Sequence, residues 1–172
     1  VYVSMNSDFR GTYRQLKSKQ NNIKTPMIYN KKSTLSFRSA LSSSFDLRGK
    51  PYSFEMLCEK FEDKLLFLIP DNACEVCIDQ LIFNLKDIPE SHLKPGIVSN
   101  AKSIREGKLF IDKYGLEDFD VLFYSDSNTG FSNIYINRVV QKENSYSLVS
   151  LKLFDPFDSD KQLKKILEIY EN

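Results

Sequence analysis

An unbroken apolar run, Leu65 to Ile69, stops at Pro70 and is followed at once by Cys74-Glu75-Val76-Cys77, which opens a stretch of helical periodicity. Five consecutive apolar residues bounded by a breaker predict a strand inside a sheet, covered on both of its faces. The stretch after it carries Cys77, Leu81, Ile82, Leu85 and Ile88 at helical spacing and ends at Pro89 and Ser91, which predicts one long helix with a core-facing side. A buried strand feeding a one-sided helix demands a layered α/β fold. It also sets two thiols at the start of that helix, where free N–H groups and the helix dipole favour a thiolate. Two intervening residues let one sulfur attack a disulfide formed by the other.

The rest of the chain supplies further strands and helices. Thr34 to Arg38 and Ser44 to Arg48 alternate in polarity, with Gly49-Lys50-Pro51 turning the chain after them, which predicts an N-terminal β-hairpin. Tyr52 to Lys60 places Phe54, Leu57 and Cys58 at helical spacing. Ile97 to Ala101 reads as a short strand and Ser103 to Tyr114 as a helix stopped by Gly115, closing a β–α–β unit. Phe119 to Tyr124 reads as extended, residues 126–130 as a turn, and residues 132–140 and 146–154 as a second hairpin. A last helix begins at a capping box of Ser159 and Gln162, with Leu163, Ile166, Leu167 and Tyr170 on its buried face.

The 172 residues suit one domain with an appendage, and 41% hydrophobic residues can fill a core. The near-neutral total hides an asymmetry. Residues 1–50 hold ten Lys and Arg against two Asp and Glu, whereas residues 51–172 hold fourteen against twenty-one. The cations of residues 1–33 are scattered among Asn, Ser and Gln with no aromatic platform, so this segment reads as a solvated, partly irregular stretch and not as a nucleic-acid surface. No apolar run reaches the roughly 20 residues of a membrane span, and Val1 to Arg10 lacks the apolar core of a signal peptide.

The order strand, dithiol, helix, strand, helix, hairpin, helix resembles the thioredoxin fold over residues 34–172. Phe45-Asp-Leu-Arg-Gly-Lys-Pro-Tyr-Ser-Phe-Glu-Met-Leu, ahead of the thiol strand, is similar to the lead-in of the TlpA-like and peroxiredoxin-like branch of bacterial thiol-disulfide oxidoreductases. The resemblance implies a central mixed sheet flanked by helices, Cys74 as nucleophile, Cys77 as resolving thiol, and no cofactor. It implies a protein disulfide as substrate, a thiol electron donor, and an extracytoplasmic site. A membrane tether through a removed N-terminal anchor would suit the basic segment 1–33.

Relatives place a cis-proline before the first strand of the second hairpin. The corresponding residues here, 129–133, include no proline, so Phe131 or Ser132 is expected to face the dithiol and, with Glu75 and Val76, to contact substrate. Glu75, helped by Asp71, opposes the helix dipole's support of a thiolate, which predicts a more reducing couple. The thiol strand carries no buried acid to relay the resolving proton. Two other readings stand beside this one. A thioredoxin-like domain can act as a redox-inactive binding or scaffold module. A peroxidase would use Cys77, seven residues after Pro70, but Cys74 occupies the position of the threonine that activates peroxide. Cys58 reads as a small apolar packing residue and His92, the single histidine, as an exposed loop residue. One CxxC without a second paired motif is a poor zinc signature, so no metal is expected.

Overall fold

A computed structural model describes residues 37–62, 64–88, 95–126, 133–142, 145–158 and 161–164. Residues 1–33, His92, Phe131, Ser132, Ser159, Ile166, Leu167 and Tyr170 lie outside these ranges, and so do Thr34 to Ser36 and residues 127–130.

Residues 37–41 are helical, which corrects the strand expected over Thr34 to Arg38 where the two overlap. Phe37, Ala40 and Leu41 stand at helical spacing and are all buried, so tertiary packing overrides the local alternation. A hairpin still precedes the thiol strand, but Ser44–Phe45 pairs with the segment that follows it and not with Thr34 to Arg38. Strand β1 (Ser44–Phe45) pairs antiparallel with β2 (Pro51–Tyr52). Only two residues of the expected strand from Ser44 to Arg48 are extended, because the Asp46 carboxylate accepts N–H bonds from Arg48 and Lys50 and bends the chain. Gly49, at φ +78°, completes the turn in a region that side chains with a Cβ rarely adopt.

Helix α1 (Phe54–Lys60) starts at Ser53, whose hydroxyl accepts the Met56 N–H, and buries Phe54, Leu57 and Cys58. The thiol strand β3 (Leu65–Ile69) follows, then α2 (Glu75–Lys86), β4 (Gly96–Asn100), α3 (Ile104–Tyr114), β5 (Asp120–Tyr124), β6 (Tyr135–Lys142) and β7 (Ser145–Leu153). One seven-stranded sheet results, in the order β2-β1-β5-β4-β3-β6-β7. Strands β3, β4 and β5 run parallel, while β6 lies antiparallel to β3 and forms the second hairpin with β7.

All five residues of β3 are buried, as the unbroken apolar run requires. Leu65, Phe67 and Ile69 pack on one face with Leu81, Ile82 and Leu85 of α2 and with Ile111 of α3. Leu66 and Leu68 pack on the other with Phe37, Leu41 and the buried side of α1. Burying the three α2 side chains contributes roughly 1.5–3 kcal/mol each, which is what seats this helix on the sheet. Helix α3 shows the expected limits: Ser103 caps Glu106 N–H, the Glu106 carboxylate accepts Lys102 N–H, and Gly115 is left-handed at φ +58°.

Residues 161–164 are helical where the last helix was expected, and Leu163 joins the core beneath α2 and α3. The buried Gln162 reaches back to accept the Asp155 N–H at 3.0 Å. At the opposite end of β5, Lys60 and Lys64 both bond the Asp120 carboxylate, at 2.8 and 2.5 Å. Burial opposes ionisation of Asp120, but these two bonds outweigh it and hold its pKa below the ordinary carboxylate range.

Candidate functional site

The dithiol sits where the most buried strand ends. The phenol of Tyr124, itself 1% exposed, donates to the Ile69 carbonyl at 3.3 Å and ties the end of β3 to β5. Pro70 then directs the chain off the sheet, and its carbonyl accepts the Ala73 N–H in a tight turn. Asp71 and Asn72 are exposed on this turn, while Ala73 packs against the core. The path delivers Cys74 to the edge of the molecule at the start of α2.

Cys74 is the N-cap of α2, with extended backbone at φ −66° and ψ 138°. Its carbonyl accepts from Cys77 and Ile78, and its sulfur accepts the Cys77 N–H at 3.1 Å. That N–H lies in the first turn, where no i−4 helical carbonyl is available, and it is shared between the Cys74 carbonyl and sulfur. A sulfur therefore takes the place usually filled by a Ser or Asp oxygen. The donor and the positive end of the helix dipole act on Cys74 together, and both favour negative charge on it.

Cys74 and Cys77 are joined by a disulfide, with Cα atoms 5.2 Å apart. Their surroundings differ: Cys74 is exposed, whereas Cys77 is half-buried against the core that holds Leu81 and Ile82. An incoming thiolate or disulfide meets Cys74 first. Of the other residues expected at this site, Glu75 and Val76 are exposed in the first turn of α2, Val76 at 66%. Phe131 and Ser132 lie outside the described residues.

One residue had no signal in the sequence. Lys113, near the end of α3, forms an ion pair with the Glu75 carboxylate. The hydrogen bond from Lys113, and next its charge, hold the Glu75 pKa below the ordinary range, while the bond to Glu75 raises that of Lys113. Glu75 therefore does not act on the neighbouring sulfur as a bare carboxylate, which alters the electrostatic expectation drawn from the dipeptide alone.

The third cysteine stands apart. Cys58 of α1 is fully buried on the other side of the sheet, and burial, then the nearby Glu55 carboxylate, push its pKa up to about 12. It packs as a small apolar residue. Among the described residues, no group of three His, Cys, Asp or Glu side chains is arranged to hold a metal ion, and no helix is long and apolar enough to cross a membrane.

The mixed sheet, the helices on both its faces and a dithiol between a central strand and its following helix reproduce the order of elements on which the sequence resemblance rests. The architecture is thioredoxin-like. Among solved structures of similar fold is a proposed thiol-disulfide oxidoreductase from Bacteroides vulgatus, 18% identical, with 76% of this chain and 88% of that one covered at a TM-score of 0.48. A secreted Mycobacterium tuberculosis disulfide oxidoreductase homologous to E. coli DsbE is 12% identical, with 74% and 98% covered at 0.43. A proposed protein disulfide isomerase from Bacteroides thetaiotaomicron is 16% identical, with 71% and 82% covered at 0.40. No family model and no curated protein matches the sequence. Identities this low say nothing of activity, which rests on the chain's own residues.

Proposed function

We propose that this chain is a thiol-disulfide oxidoreductase of the TlpA-like kind, acting on protein disulfides through Cys74 and Cys77. The observation that carries the reading is the unequal disulfide at the start of α2: one sulfur exposed and supported by a backbone N–H, its partner half-buried one helical turn further along. In the reduced protein the Cys74 thiolate attacks a substrate disulfide, forms a mixed disulfide and releases one substrate thiolate. The Cys77 thiolate then attacks the Cys74 sulfur and releases the second. Two electrons pass to the substrate, and the Cys74–Cys77 disulfide is the product. A dithiol donor must reduce it before the next cycle.

Glu75 and Val76 flank the attacking sulfur and are proposed to contact the substrate chain, together with Phe131 and Ser132. The likeness of the lead-in before the thiol strand to the TlpA-like branch supports an extracytoplasmic site of action, with the dithiol donor supplied there. Reduction of insulin disulfides under a dithiol reductant tests the reading. Wild type is expected to turn over, Cys74→Ser to be inactive, and reduced Cys77→Ser, mixed with insulin after the reductant has been removed, to accumulate a covalent mixed disulfide visible on a non-reducing gel. Equal rates for wild type and Cys74→Ser would show a redox-inactive module instead.

A further inference from the structure

We infer that Lys113 is a positioning residue for the Cys74 thiol, acting through Glu75: its ammonium group cancels the carboxylate next to the sulfur and so preserves the helix start as a place for a thiolate. The inference rests on the oxidoreductase reading for its biological meaning, but not for its test.

The sequence at this helix start is unfavourable for an anionic sulfur. Asp71 precedes it on the loop, and Glu75 and Asp79 fall in the first turns of α2, so three carboxylates lie within five positions of the group that has to ionise. Like charges disfavour a thiolate, against the support given by the Cys77 N–H and the helix dipole. Glu75 is the immediate neighbour of Cys74 and is the carboxylate that Lys113 holds.

The pair is exposed, and a second tie between the same two helices holds the backbone next to the cation. The Lys86 ammonium, in the last turn of α2, donates to the carbonyl of Tyr114 at 2.6 Å, one residue beyond Lys113. Gly115 closes α3 immediately afterwards, with no Cβ to crowd that ammonium. The Lys113 ammonium also lies 5.0 Å from the centre of the Tyr114 ring, whose π face adds a further attraction for the cation. Tyr114 packs in turn on Phe110, 4.9 Å between ring centres. The end of α3 is thus anchored on α2, and Lys113 is directed to Glu75.

The test measures the sulfur, not turnover. In a Cys77→Ser background, with Cys58 buried, the rate of Cys74 alkylation by iodoacetamide reports the thiolate fraction as a function of pH. Lys113→Gln is expected to slow alkylation at neutral pH about two- to threefold and to move the profile to higher pH. Glu75→Gln should speed it and move the profile the other way, and Lys113→Arg, which keeps the cation, should match the parent. Adding Lys113→Gln to Glu75→Gln should slow alkylation by less than Lys113→Gln does alone, because without its partner the exposed ammonium is no longer held near the helix start. Molar salt should shrink the Lys113→Gln effect, because the screening length falls to about 3 Å. Parent-like alkylation of Lys113→Gln would overturn the inference, as would equal slowing with and without Glu75. A protein that follows the alkylation pattern yet never reduces insulin would instead remove the oxidoreductase reading and leave the role of Lys113 standing.

Discussion

Replacing Gly96 by alanine is expected to destabilise the domain sharply without touching the dithiol. Gly96 opens β4 beside Leu66 of β3, and an added Cβ would stand 3.1 Å from Cγ of Phe61 and inside the van der Waals radii of that ring's Cδ1 and Cε1. Phe61 has nowhere to go. It is fully buried where α1 ends, and its own N–H is bonded to the Leu57 and Cys58 carbonyls. Overpacking a closed core site costs about 1–3 kcal/mol, and an enclosed aromatic ring belongs at the upper end, about 3 kcal/mol. For a domain of this size, each kcal/mol moves the melting temperature about 2–4 °C, so the expected fall is about 6–12 °C. Thermal melting by circular dichroism measures it, with urea unfolding as a check on two-state behaviour. Gly96→Ala combined with Phe61→Leu should recover part of the loss, because the two sites share one volume. Gly96 lies at the start of its strand against the α1 side, whereas the sulfurs lie beyond the end of β3, so the alkylation rate of Cys74 below the melting range should be unchanged. A melting temperature within about 2 °C of wild type would refute the packing account.

The partly exposed Asp120 cluster should behave as a pH-dependent tie. Asp120→Asn is expected to cost about 1 kcal/mol near neutral pH, after discounting solvent screening of these partly exposed partners. Because the folded pKa of Asp120 lies below its unfolded value, this contribution is complete above the ordinary carboxylate pKa and is lost as pH falls through the lowered one. Denaturant curves of both proteins should therefore converge in acid. Cys58 should resist alkylation in the folded, reduced protein at neutral pH, giving two modified cysteines by mass spectrometry and a third only after unfolding. A third modification in the native protein would contradict its burial.

Much of the fold was legible because some residues answer to one force only. The run from Leu65 to Ile69 has no polar position, so it fits only a strand with neighbours on both edges and layers on both faces, and β4, β6 and two helical layers provide them. Ser103 and Gly115 bound α3 through local backbone chemistry that needs no tertiary partner. Phe37, Ala40 and Leu41 were harder, since the alternation of Thr34 to Arg38 and the helical spacing of these three compete over the same residues, and packing against α1 decides between them. The helix-start position and unequal exposure of the two site thiols followed from their place between strand and helix. Lys113 did not, because it meets Glu75 across 38 positions of chain through the packing of α3 on α2, and nothing local to either residue announces the pair.

Three cysteines admit three different single bridges, and an odd thiol is ordinarily a hazard for a protein that meets oxidants. Here a continuous sheet separates Cys58 from the other two, with Cys58 among the side chains of one face and Cys77 against those of the other. No rotation of a side chain brings them together; the wall would have to open first. Correct pairing is thus enforced by partition, and a scrambled bridge would serve as a chemical record that the chain had been oxidised before its strands had closed ranks.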